Sequence, residues 1–74
     1  MKTGDKVTVK SLEWYNANKN ALGRVDNNGK GFYFMPEHAK HCGTTATIID
    51  VYADSYKISA DNGKMWWEEW MFKK

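Results

Sequence analysis

The chain has one cysteine, Cys42, so no disulfide can form within it. Without a covalent cross-link, a reducing, cytoplasmic setting is the expectation. No apolar run approaches the roughly 20 residues that a membrane helix needs, so no membrane association is expected. The opening MKTGDKV lacks the apolar stretch of a secretory leader. Arginine is nearly missing as well, because Arg24 is the only one among eleven basic residues. Arginine supplies the forked contacts to phosphates and base edges that nucleic-acid readers use most. With a net charge of only +2, the composition permits a nucleic-acid role without arguing for one. No repeat, low-complexity segment or linker interrupts the 74 residues, so residues 1–74 are read as one domain.

Large aromatic side chains are abundant, with four Trp, four Tyr and three Phe. A domain of this size buries a modest share of its surface and needs bulky residues to build a core. GDKVTVK, from Gly4 to Lys10, alternates Val7 and Val9 with polar neighbours, as a half-buried strand does. In SLEWYNANKN, Ser11 is a helix cap and Glu13 suits the first turn. Leu12 and Tyr15 would share a face. The asparagines limit this helix to about two turns. Ala21 to Gly31 is an Asn- and Gly-rich excursion in which Asn28-Gly29 signals a tight turn. It closes into a short strand from Phe32 to Met35. Pro36 and Glu37 suit a helix start, and a turn or two is expected from Pro36 to Cys42.

The second half is strand-rich. Thr44 to Ala53 is the strongest strand, with Ala46 and Ile48 on one face and Ile49 and Val51 on the other, unless a bulge near Asp50 turns Val51 inward. Tyr56 to Ala60 follows, then an Asp61-Asn62-Gly63 turn, then a strand from Lys64 to Glu68. Glu68 to Phe72 forms a single tight turn that returns Met71 and Phe72 to the core. The expected core is Val7, Val9, Phe34, Ile48, Tyr56, Ile58, Trp67, Met71 and Phe72.

One strand, a long excursion and three strands in close antiparallel succession resemble a small five-stranded antiparallel barrel of the Src-homology-3-like (SH3-like) class. It is mainly β, with one or two short helical turns inserted in the first half. The pieces GDKVTV, CGTTATIIDV, YKIS and DNGK with Trp67 are also similar to the ribosomal and transcription-factor barrels called KOW, although the usual basic loops are missing here. Nearly the whole chain resembles a family of small proteins encoded by phages, prophages and gut bacteria. The resemblance rests on Gly4-Asp5-Lys6-Val7, Ser11 to Lys19, Cys42-Gly43, Ala46-Thr47-Ile48, Tyr56, Ile58, Trp67 and Met71-Phe72. The sequence departs from that pattern at Met65 and Trp70. The resemblance implies a fold and a mobile-element context, and it brings no activity or catalytic residue with it.

No catalytic pattern stands out. His38, His41 and Cys42 have metal-ligand chemistry, and on a helix His38 and His41 would share a face. No further Cys or His completes a set, so no metal or cofactor is expected, and a solvated helix face with Cys42 buried is the plainer reading. Glu68-Glu69 are strand neighbours on opposite faces, which disfavours paired acid–base work. The chain is therefore read as non-enzymatic.

The aromatics in excess of the core are Trp14, Tyr15, Tyr33, Tyr52, Trp66 and Trp70. Clustered exposed aromatics mark a binding face, and buried ones would instead pin the excursion. Both readings stand at this point. The first makes the protein a small module that binds another protein, as a monomer or weak homodimer. The alternative is a nucleic-acid-binding KOW/SH3-like barrel using Lys6, Lys10, Lys30, Lys57 and Lys64.

Overall fold

Ser11, three residues past the first strand, decides where helix begins: its hydroxyl accepts the Trp14 N–H at 3.1 Å. The computed structural model describes residues 1–73. It is mainly β, with one antiparallel sheet in the order β1-β2-β3-β4. The strands are β1 (Lys6–Thr8), β2 (Thr45–Tyr52), β3 (Ser55–Ile58) and β4 (Trp67–Glu68). The helices α1 (Leu12–Asn18) and α2 (Pro36–Ala39) lie between β1 and β2. Tight turns at Ser59–Asp61 and Glu69–Met71 complete the chain.

The sheet curls into a half-barrel. Val7 faces Ala46 across β1 and β2, and Tyr56 faces Trp67 across β3 and β4. Between β2 and β3 the register shifts from Ile48↔Ile58 to Asp50↔Lys57. This bulge resolves the alternation of β2. Ile48 points in, Ile49 points out, and the extra residue brings Val51 back to the core side, where it is half-buried. The final turn swings back to β1: Val9 bridges Phe72, and Lys10 N–H donates to the Met71 carbonyl at 3.0 Å.

Four strands, rather than the expected five, make the sheet among the described residues. The segment from Phe32 to Met35 keeps only a two-residue bridge, in which Val25 and Phe34 exchange backbone hydrogen bonds of 2.9 Å. The last strand is also shorter than its alternation implied. Met65 N–H is taken by the Asp61 carboxylate and the Trp66 carbonyl by His38, so neither is free to continue a ladder. α2 ends at Ala39, before the expected Cys42. Three tight turns follow, in which His41, Cys42 and Thr44 N–H donate to the carbonyls of His38, Ala39 and His41, and Gly43 donates to those of Val9 and Lys10. In α1, Leu12 is 55% exposed while Tyr15 is buried, so the two do not share an inward face as their spacing implied.

Val7, Val9, Phe34, Ile48, Tyr56, Ile58, Trp67, Met71 and Phe72 are all buried, joined by Tyr15, Val25 and Ala46. Phe34 is the hub, with ring centroids of Trp14, Tyr15, His38, Trp67 and Trp70 all within 6.4 Å of its own. The segment that closes the excursion is thus anchored in the core through Phe34. The excursion is tied down further by Tyr15, whose hydroxyl donates to the Gly23 carbonyl at 2.7 Å. Its tip turns through Asn28 and Gly29, both at positive φ, and Lys30 N–H closes on the Asn27 carbonyl. That is the geometry of the predicted Asn-Gly turn.

Candidate functional site

Packing against the core splits the six surplus aromatics in two. Tyr15 is buried, and Trp14 and Trp70 are half-buried against the core. Trp14 meets Phe34 edge-on at 5.1 Å and Trp70 at 6.1 Å. These three pin the excursion and are removed from the candidate surface. Alternation could not find this, because Phe34, the residue they clasp, lies outside the sheet in a segment that keeps only a two-residue bridge. The other three face outward. Tyr33 is 46% exposed and Tyr52 is 73% exposed, and Trp66 is half-buried.

Tyr33 and Trp66 come together in one open groove of about 650 Å³. Phe32, Met35 and Met65 line it beside them, with Glu37 and His38 at one margin. Phe32 is also 46% exposed. The groove joins two segments some 30 residues apart, and both have left regular pairing. Tyr52 continues the surface, with its ring 6.1 Å from that of Trp66. Sequence reasoning missed Phe32, Met35 and Met65, because both segments read as strands, whereas the structure leaves Phe32, Met35 and Met65 outside any strand pairing.

Cations rest on both aromatic walls. Lys57 Nζ lies 4.6 Å above the Trp66 ring, and the Arg24 guanidinium carbon lies 5.7 Å from the centre of Tyr33. Lys57 projects from the outer face of β3 because Tyr56 and Ile58 on either side of it point into the core.

His38 holds the two walls in place. The sequence reading put it on a solvated helix face, whereas it is buried, and its ring meets Trp67 edge-on at 4.5 Å. Met35 N–H donates to Nδ1 at 2.9 Å, so Nδ1 carries no proton. Nε2 is then the protonated nitrogen, and it donates to the Trp66 carbonyl at 3.0 Å. Burial lowers the pKa of the imidazole, against the opposing pull of that hydrogen bond and of the Asp61 and Glu37 charges; His41 adds slightly to the lowering. The neutral ring is thus a cross-brace between α2 and the approach to β4. With both nitrogens engaged it has no lone pair left for a metal. Among the described residues, no group of three or more His, Cys, Asp or Glu side chains is placed to hold one. Burial also raises the pKa of the Cys42 thiol, away from the thiolate that nucleophilic chemistry requires.

Two carboxylates are structural. Glu68 accepts the Phe32 N–H at 3.0 Å and the Trp70 indole N–H at 2.8 Å, fixing the groove's edge to the pinning cluster. Asp61 is buried and accepts from the N–H groups of Gly63 and Met65 and, at 3.3 Å, from the indole of Trp67. Asp-x-Gly is a known turn signal, so the bond to Gly63 was legible in the sequence. The two beyond it were not. Glu68, Glu69, Asp54, Tyr56 and Trp70 also border a second, more polar cleft of about 400 Å³.

Comparison of the chain with family models, with curated proteins and with solved structures finds no match to any of them.

Proposed function

We propose that this protein is a small non-enzymatic binding module that grips a segment of a partner protein in the Phe32–Trp66 groove. One observation carries the reading: five large apolar side chains from two distant segments line one open groove, Phe32 and Tyr33 exposed and Met35, Met65 and Trp66 half-buried, beside a brace built from a buried histidine. Leaving such residues in water costs apolar contact that a domain this small can scarcely spare. Trp and Tyr are the side chains that dominate binding energy at interfaces. Met35 and Met65 add unbranched, adaptable surface that moulds to a ligand. The curled sheet, closed by the Val9–Phe72 bridge, supports an SH3-like barrel as the scaffold. A phage or prophage setting, a cytoplasmic location and a monomeric or weakly dimeric state belong to the same proposal.

The test is selection of short random displayed peptides on the purified protein, with Trp66→Ala and Tyr33→Ala as counter-screens. Enriched peptides should lose binding to both variants. Peptides that bind both variants as tightly as wild type would remove the groove from the proposal.

A second reading, a nucleic-acid-binding barrel, draws on the stacked Lys57–Trp66 pair. Base stacking on aromatics beside cations is how single strands are held. Titration with single-stranded and duplex nucleic acid at two salt concentrations separates the two readings, because phosphate contacts give a steep salt dependence.

A further inference from the structure

The charges around the groove specify what enters it. We infer that the occupant is an apolar peptide segment flanked by carboxylates. This rests on the binding-module reading and adds the chemistry of the partner.

The floor takes an apolar anchor. Met35 and Met65 present thioethers and methylenes there, with no donor for a polar ligand group. The carboxylate that borders the floor, Glu37, repels an acidic side chain placed in the groove itself. The cations lie beside the lining, against two of its rings. Lys57 stands over Trp66, and Arg24 stands beside Tyr33. Resting on a ring face uses a cation's charge but none of its N–H donors, so both still have hydrogen bonds to give. A peptide whose middle is apolar and whose ends are acidic therefore meets apolar lining at its middle and the two cations at its ends. A basic peptide meets two cations that it must displace or desolvate. Complementarity of this kind acts mainly on selectivity and on the rate of encounter.

A single nucleic-acid strand fits less well. It needs a run of cations along its phosphates and partners for its base edges, and this groove offers two cations, Lys57 and Arg24, beside thioethers and the carboxylate of Glu37.

The experiment uses two pools of fluorescent synthetic peptides. Both have a short centre randomised over Leu, Met, Phe and Trp; one pool is flanked by glutamates and the other by lysines. Anisotropy is read at about 50 and 200 mM salt, with an oligothymidylate as the anionic control. The acidic pool should bind at least about tenfold tighter at low salt, with the gap narrowing at high salt as the charges are screened. Lys57→Glu and Arg24→Glu, each checked for folding by circular dichroism, should each reduce that preference, and together reverse it. Trp66→Ala should abolish binding of both pools. If the pools bind equally and Trp66→Ala abolishes both, the groove stands and the acidic occupant is overturned. If neither pool binds, the groove reading falls with it. If oligothymidylate binds tighter than the acidic pool and displaces it, the ligand is a nucleic acid and the inference is overturned.

Discussion

His38 and Trp66 are 28 residues apart, and the imidazole Nε2 donates to the tryptophan's carbonyl at 3.0 Å. The same ring accepts the Met35 N–H at 2.9 Å, so one neutral side chain fixes both banks of the groove. This geometry needs the neutral form. A second proton on Nδ1 would set two donors, the ring N–H and the Met35 N–H, against each other.

The first prediction is a pH dependence of stability. The unfolded chain takes up a proton on His38 near its ordinary value of about 6.5, whereas burial makes the folded chain resist it. Protons are then bound preferentially by the unfolded state. Stability should be complete above about pH 6.5 and fall as the pH drops below it, by at most about 1.4 kcal/mol per pH unit for this one group. Urea melts between about pH 7 and 5 should show the fall in wild type, and His38→Gln should flatten it. Equal slopes in both proteins would show that His38 is not the titrating group.

The second concerns Asp61. Asp61→Ala leaves the N–H groups of Met65 and of the fully buried Trp67 ring without their acceptor. An unsatisfied buried donor costs about 1–3 kcal/mol, so a loss of roughly 2–4 kcal/mol is expected in denaturant melts. A loss under 1 kcal/mol would mean that water replaces the carboxylate at little cost.

The third is a glycine position. Gly31 has φ +68°, and a Cβ there would approach Glu68 Oε1 to 2.6 Å. Glu68 cannot swing aside without releasing the Phe32 N–H and the Trp70 indole. Gly31→Ala should cost about 1–2 kcal/mol from backbone strain alone. The Trp70 indole N–H proton should also shift in the NMR spectrum. An unchanged indole signal would show that the carboxylate adapts without letting go.

The fourth separates the two kinds of tryptophan. Trp70→Ala removes a ring packed on Trp14 and Phe34 together with its bond to Glu68. It should cost about 2–3 kcal/mol, below the 3–5 kcal/mol or so expected for the fully buried Trp67. Trp66→Ala should change stability by less than about 1 kcal/mol, as for a surface position. A large loss from Trp66→Ala would make it a core residue and withdraw it from the binding face.

Much of the fold was determined by the sequence alone. Strand alternation marked Val7, Val9, Ile48, Tyr56 and Ile58 as inward, because a strand's period of two fixes the facing of each residue once one is buried. Ser11 and Asn28-Gly29 declared their cap and turn through local hydrogen bonding and backbone preference. The tertiary structure decided what has no local cause. The bulge between Ile48 and Asp50 turned Val51 inward. Phe34, from an irregular segment, became the hub on which Trp14, Tyr15 and Trp70 close. His38, Asp61 and Glu68 look like ordinary polar surface in the sequence, and each takes its role from donors or acceptors brought up by the fold. The candidate groove belongs to this second kind. Phe32, Tyr33 and Met35 meet Met65 and Trp66 only because the pairing of both segments is broken, one around the Val25–Phe34 bridge and the other by Asp61 and His38. A side chain released from strand periodicity points where its tertiary neighbours leave room, and no local pattern records that direction.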